Sequence, residues 1–147
     1  MGSDRTGLLQ QPRGGLSREG GAVMLLIAED DRDMRSLLSD YLSGPGVTIR
    51  EAEDGDVALQ MVFDSCPDLI VTDLRMPAGG LDYVARLRAF APHTPIILMT
   101  SFGDPKTRGE ALGMGVAAYF DKPVRLTELR NTIARLLSPR LDGGGNR

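Results

Sequence analysis

The sequence predicts an α/β domain, a doubly wound five-stranded parallel sheet covered on both faces by five helices. Two observations carry this. Five short apolar runs, Val23 to Ala28, Val47 to Ala52, Leu69 to Thr72, Ile96 to Met99 and Ala117 to Phe120, are each followed by a segment of helical spacing or a helix-start signal. Four of them also end at chemically specific residues: Glu29-Asp30, Asp73, Thr100 and Lys122. Right-handed crossovers bring the carboxyl ends of all five strands to one edge, where open sheets of this kind bind ligands.

The elements follow in order. Met34, Leu37, Leu38, Tyr41 and Leu42 mark one face of a first helix, which Gly44-Pro45-Gly46 stops. Asp54 reads as the N-cap of a second helix with Ala58, Met61 and Val62 inward, closed by Pro67. A third helix is expected over Leu81 to Leu87, with Leu81, Val84 and Ala85 on its buried face. Asp104-Pro105 has the form of an N-cap followed by proline at the first helical position. The helix it opens is weak, because Gly109, Gly113 and Gly115 crowd it and each interior glycine costs roughly 1 kcal/mol relative to alanine. Leu126, Leu129, Ile133, Leu136 and Leu137 stripe the last helix. The domain is therefore expected over 23–138, between glycine-rich flexible tails at 1–22 and 139–147.

Composition narrows the function classes. A chain of 147 residues with 41% hydrophobic and 25% charged residues has the balance of one globular domain. The net charge of −3 gives no general attraction to nucleic acid, whose binding requires neutralising phosphates, so none is expected by this chain alone. No apolar stretch approaches the length of a membrane span, and the first residues lack the apolar core of a signal peptide. With a single cysteine, Cys66, the expectation is a cytoplasmic protein. Cys66 reads as a small buried filler, and His93, in a proline-flanked loop, as a surface residue.

Glu29, Asp30 and Asp73 would place three carboxylates close together on one edge. Their repulsion is relieved most directly by a cation, and with no histidine or cysteine nearby in sequence a hard, oxygen-preferring ion such as Mg2+ fits best. Lys122 adds a positive charge and Thr100 a hydroxyl. Cation, ammonium and hydroxyl together suit a phosphoryl group, with Asp73 as a nucleophile that forms an aspartyl phosphate.

Four segments carry a resemblance to the response-regulator receiver domains of two-component signalling: Ala28-Glu29-Asp30-Asp31, Val71-Thr72-Asp73-Leu74-Arg75-Met76-Pro77, Met99-Thr100-Ser101 and Tyr119-Phe120-Asp121-Lys122-Pro123. They stand in that family's order and spacing over about 23–138. The resemblance implies a flavodoxin-like strand order of 2-1-3-4-5. It implies that Asp73 is the phosphoacceptor, served by a histidine kinase or phosphotransferase in a phosphorelay. Mg2+ would be held by Asp30, Asp73 and the main-chain carbonyl of Arg75, with Glu29 acting through water. Lys122 would contact a phosphoryl oxygen, and its bond to Pro123 would be cis. Thr100 and Tyr119 would form the switch, remodelling the face of helix four, strand five and helix five for an unknown downstream protein. A phosphorylation-dependent homodimer is also within the family's range. Such a chain is a signalling switch rather than an enzyme, apart from self-phosphorylation and slow self-dephosphorylation.

The chain departs from the family in the turn from Pro77 to Gly80, which is one residue short and reads Ala78-Gly79-Gly80. Arg75 and Phe102 are bulky at positions that flank the path of attacking water, and are expected to slow hydrolysis of the acyl phosphate. Three other readings remain. An aspartate-nucleophile Mg2+ phosphatase needs a second aspartate two residues after the first, where this chain has Arg75, a residue that does not transfer protons at neutral pH. A flavin module needs a hydroxyl- and glycine-rich phosphate loop where this chain has Glu29-Asp30-Asp31. A receiver-like scaffold that is never phosphorylated would not need the full set of residues.

Overall fold

The computed structural model describes residues 16, 21–101 and 103–138. Its elements alternate: β1 (Val23–Ala28), α1 (Arg32–Leu42), β2 (Val47–Ala52), α2 (Gly55–Asp64), β3 (Leu69–Asp73), α3 (Leu81–Phe90), β4 (Ile96–Thr100), α4 (Pro105–Gly113), β5 (Ala118–Asp121) and α5 (Leu126–Leu137). The strands form one parallel sheet in the order β2-β1-β3-β4-β5. The expected flavodoxin-like winding is therefore present, and the order reverses between β1 and β3.

Alternation along each strand sorts the core into two layers. Leu26, Ile70, Ile96 and Leu98 meet Ala58 and Val62 of α2, Val84 and Leu87 of α3 and Ala111 of α4 on one face. On the other, Leu25, Ile27, Val71, Ile97 and Met99 meet Leu38 and Leu42 of α1 and Leu129, Ile133 and Leu137 of α5. With helices on both faces, every residue of β3 and β4 is buried. This is why those strands read as unbroken apolar runs.

Side-chain caps set three helix starts. Asp31, Asp54 and Asp104 accept from the N–H groups of Met34, Val57 and Thr107 at 3.1, 2.8 and 2.7 Å. Bonding to the Thr107 N–H holds the Asp104 carboxyl below its usual range. The caps expected at Asp54 and at Asp104-Pro105 are thus present.

Several expectations need correction. Leu37 is 50% exposed, because α1 buries only the Leu38 and Leu42 side of its stripe. The third helix runs three residues further, to Phe90, and buries Tyr83, Val84 and Leu87 while Ala85 is exposed. Its extension has a polar cause: Arg88 donates to the carbonyls of Ala91 and Thr94, each at 2.6 Å, and of Gly115 at 3.1 Å, tying the last turn to two loops. β5 starts one residue later than expected, and β3 and β4 each run one residue further, to Asp73 and Thr100. Cys66 is exposed, since Pro67 takes the buried place in that loop. Gly115 lies beyond α4 at φ +87°, so the helix itself carries two glycines, Gly109 and Gly113.

Of the segment 1–22, the described residues are 16, 21 and 22, and Leu16 is 3% exposed within the α1/α5 layer. The tail expected at 139–147 lies outside the described residues. No helix among the described residues is long and apolar enough to cross a membrane.

α4 buries a single residue, Ala111, whereas α1 and α5 each anchor two or more leucine or isoleucine side chains. Native-state amide exchange is therefore expected to show α4 opening at the lowest free energy of the three. Equal protection of α1, α4 and α5 would contradict that.

Candidate functional site

β1 ends at Ala28, and the chain passes directly into Glu29, which is buried, and Asp30, which is exposed. β3 ends on Asp73, two strands' width from β5, whose end delivers Lys122. Carboxylate oxygens of Glu29, Asp30 and Asp73 lie within 4.8 Å of one another. The Lys122 ammonium donates to Glu29 Oε1 at 2.7 Å and to Asp73 Oδ2 at 2.8 Å. The sheet thus assembles the expected acidic cluster with a cation bridging two of its three members. The peptide bond from Lys122 to Pro123 is cis.

The electrostatics follow from burial and pairing. Burial raises the Glu29 pKa and the charge of Asp73 adds to it, while bonds from Lys122 and the Asp31 N–H oppose the rise without cancelling it. For Lys122, burial acts downward, but its bonds and charge pairing with Asp73 and Glu29 outweigh it and leave the ammonium harder to deprotonate.

The main chain supports the cluster. Arg75 donates its N–H to Asp73 Oδ1 at 2.9 Å, fixing the second carboxylate oxygen. The short turn after it is built from unusual backbone: Ala78 at φ 59° and Gly80 at φ 96°. Gly79 and Gly80 donate to the carbonyls of Met76 and Leu74, both at 2.8 Å. Gly55, at the start of α2, donates to the Pro77 carbonyl at 2.9 Å, and a Cβ on Gly55 would collide with the Ala78 carbonyl. The shortened turn is therefore clamped against α2.

Thr100 is fully buried, and its hydroxyl has no hydrogen-bond partner among the described residues. The Tyr119 hydroxyl is also buried without a partner, and a Cβ on Gly103 would collide with it. Arg108 of α4 lies over the Tyr119 ring, 5.4 Å from its centroid. Phe102, expected with Arg75 to slow hydrolysis of the acyl phosphate, lies outside the described residues.

Two contributors were missed in the sequence. Arg35 of α1 donates to the Glu29 carbonyl at 2.7 Å and pairs with Glu51 of β2 at 3.3 Å, pinning the acidic segment to the neighbouring strand. A cation so near a helix start runs against the helix dipole, and that conflict was the available signal. The other is the Thr72–Tyr83 hydroxyl pair at 2.8 Å, which joins a strand to a helix eleven residues on and leaves no local pattern in the sequence.

Comparison with known proteins identifies this arrangement. The family model described as the response regulator receiver domain matches residues 25–134. The chain belongs to that family. The receiver is 34% identical over 114 residues to the regulatory protein AtoC of Escherichia coli (strain K12), covering 77% of this chain and 25% of AtoC. It is 35% identical over 117 residues to the response regulator MprA of Mycobacterium ulcerans (strain Agy99), covering 79% of this chain and 50% of MprA. It thus spans a quarter to a half of the length of these two relatives. The receiver domain of NtrX from Brucella abortus matches in structure with a TM-score of 0.69 and 27% identity, covering 77% of this chain and 97% of that one. Receivers of this kind belong to two-component response regulators, and the acidic edge is consistent with phosphoryl acceptance.

Removing the ammonium by Lys122→Met leaves buried carboxylates facing one another, at a cost of roughly 3 kcal/mol in EDTA by urea unfolding. Mg2+ is expected to restore most of it. The pKa directions add a pH signature in wild type. Glu29 binds its proton more tightly folded than unfolded, so stability in EDTA gains as pH falls toward its ordinary value of 4.5. Lys122 contributes fully below its ordinary value of 10.5, and that contribution is lost as pH rises through its raised pKa. Urea midpoints across pH check both signs.

Proposed function

We propose that this receiver accepts a phosphoryl group on Asp73 from a histidine kinase or phosphotransferase and passes the signal through Thr100 and Tyr119. The observation that carries the reading is the buried Asp73 carboxylate held between the Lys122 ammonium and the Arg75 N–H, beside two further carboxylates. A carboxylate oxygen of Asp73 forms the bond to phosphorus. The phosphorus–nitrogen bond of a phosphohistidine donor breaks, and the imidazole keeps the electron pair and takes up a proton.

The donor set fits Mg2+: three carboxylates within one ion's reach and no nitrogen or sulfur ligand among them. Asp30, Asp73 and the Arg75 main-chain carbonyl would hold it, with Glu29 acting through water. Bound there, it supplies positive charge against the phosphoryl oxygens. Lys122 would exchange its bonds to Glu29 and Asp73 for a phosphoryl oxygen. The Thr100 hydroxyl, buried and without a partner, has its hydrogen to offer the same group.

That offer is the switch. Charge-assisted hydrogen bonds contribute roughly 1.5–3 kcal/mol each. The Thr100 bond is a net gain while Lys122 only exchanges partners, so hydrogen bonding supplies part of the roughly 5.5 kcal/mol needed to invert a 1:99 equilibrium and the added phosphoryl charge must supply the rest. A shift of Thr100 changes the seat of Tyr119, which touches the Gly103 backbone and the Arg108 side chain. α4, with one buried anchor, is the element that yields. The face of α4, β5 and α5 is the surface offered to a downstream protein, and a homodimer formed on phosphorylation would use it too. A cytoplasmic location accords with these roles.

The phosphatase reading has no support in the geometry, since Arg75 stands where an acid–base aspartate is required. Incubation with Mg2+ and acetyl phosphate is expected to add the mass of one phosphoryl group to wild type and none to Asp73→Asn. Turnover of phosphate esters, or labelling that survives Asp73→Asn, would defeat the proposal. Gly103→Ala is expected to leave acceptance at Asp73 intact and to eject Tyr119 from its seat. Amide spectra should then show the β5 shifts on phosphorylation suppressed.

A further inference from the structure

Thr72 and Tyr83 lie directly behind the acceptor and are absorbed by none of the roles above. Thr72 is fully buried and Tyr83 is 2% exposed, on the α2/α3 face of the sheet. Their oxygens are 2.8 Å apart, and Thr72 Oγ1 also donates to the main-chain carbonyl of Asp73 at 3.0 Å. The proton count gives this chain a direction. A carbonyl only accepts, so the single Thr72 hydrogen is committed to Asp73 and Tyr83 must be the donor to Thr72. Burial pushes the Tyr83 phenol well above its ordinary range, which keeps that proton in place at neutral pH.

Packing alone does not call for these hydroxyls. Apolar groups of the same shape at both positions can be nearly neutral or stabilising, so a Val–Phe pair would fill the space as well. What the hydroxyls add is a fixed connection from the first turn of α3 to the carbonyl of the acceptor residue. The ring has a second contact: Tyr83 Cδ1 would be 3.1 Å from a Cβ on Gly55, at the point where α2 clamps the short turn through Pro77 and Ala78. One side chain thus touches the acceptor strand through Thr72 and, at Gly55, the start of α2, which in turn holds the loop that carries Arg75.

We infer that Thr72 and Tyr83 are positioning residues for the acceptor site. Tyr83 acts through Thr72 on the Asp73 main chain and, by its ring against Gly55, on the helix start that clamps the 74–80 turn, so that the Asp73 carboxylate and the Arg75 main chain keep the spacing Mg2+ requires. This inference rests on the proposed function and deepens it. It also accounts for a site that tolerates a turn one residue short, because the turn is buttressed from beneath.

The test uses the full chain with Thr72→Val, Thr72→Ser, Tyr83→Phe and the Thr72→Val/Tyr83→Phe double variant. Mg2+ affinity is measured by titration calorimetry, stability by urea unfolding and Asp73 labelling by mass spectrometry with acetyl phosphate. Residues that orient metal ligands typically cost roughly 10–100-fold in affinity when removed, and about tenfold is expected for Thr72→Val. Thr72→Ser keeps the hydroxyl and is expected to retain wild-type affinity, with Tyr83→Phe between the two. In the double variant no hydroxyl is orphaned, so stability recovers relative to Thr72→Val while Mg2+ affinity stays as low. Wild-type affinity in both Thr72→Val and Tyr83→Phe, or affinity that follows stability across the set, would overturn the inference. If Thr72→Val does not fold, the comparison of Tyr83→Phe with the double variant decides it. Failure of wild type itself to bind Mg2+ or to be labelled would instead overturn the proposed function, which separates the two outcomes.

Discussion

Three carboxylates within 4.8 Å of one another are the constraint on which the rest of this molecule depends. At such distances like charges destabilise the ionised state, and burial makes it worse, as the raised Glu29 pKa records. The fold answers with one ammonium, Lys122, delivered from β5 across two intervening strands. A parallel sheet suits this purpose because its right-handed crossovers bring all the strand ends to one edge. Residues 93 and 49 positions apart in sequence therefore become hydrogen-bond partners of one lysine or its carboxylates. The ammonium offsets part of the repulsion, and the three carboxylates stay close enough together to hold a metal ion.

Around that charge cluster the support is mostly main chain. Asp73 Oδ1 is held by the N–H of Arg75, Glu29 Oε2 by that of Asp31, and the Glu29 carbonyl by the Arg35 side chain. Each bond fixes an oxygen that would otherwise rotate to relieve repulsion. The positive-φ residues of the 74–80 turn belong to the same economy: Ala78 sits in a region few non-glycine residues adopt, and the Gly55–Pro77 bond holds it there. Local backbone strain next to the site is thus held by packing from α2 and α3.

Much of this was legible in the sequence, for identifiable reasons. The buried strands have no solvent face, so they appear as continuous apolar runs, and their polar final residues mark the edge. Asp54 and Asp104-Pro105 announced two helix starts because capping depends on side chains only three residues away. Long-range effects were not legible. The third helix outran its apolar pattern because Arg88 satisfies carbonyls of two loops. Leu37 fell outside the buried face of α1 because a stripe of spacing three and four is wider than the surface available to it. Cys66 was misplaced inward because its small apolar character said nothing of the proline beside it. At the site, Glu29, Asp30, Asp73, Thr100 and Lys122 were legible as polar residues closing apolar runs, and the family resemblance added Tyr119, the Arg75 carbonyl and the expected roles. The contacts of Arg35 with the Glu29 carbonyl and of Thr72 with Tyr83 and the Asp73 carbonyl are ones that no spacing reveals.

The positions of the unsatisfied groups say where a change in charge will be felt. At the acidic edge every buried oxygen of Glu29 and Asp73 has a donor, so that region resists movement. One strand further on, the hydroxyls of Thr100 and Tyr119 are buried without partners among the described residues, an arrangement that costs about 1–3 kcal/mol per group. An acceptor supplied to Thr100 would remove part of that cost, at a point where its methyl group and the Tyr119 hydroxyl both crowd Gly103. The neighbouring helix, α4, has Ala111 as its buried anchor and two glycines in its length. Rigidity at Asp73 and unspent hydrogen bonding at Thr100 thus give the domain a direction. On the proposed function, a charge added at the first would be absorbed by movement at the second, and that movement would leave the molecule through α4 and β5.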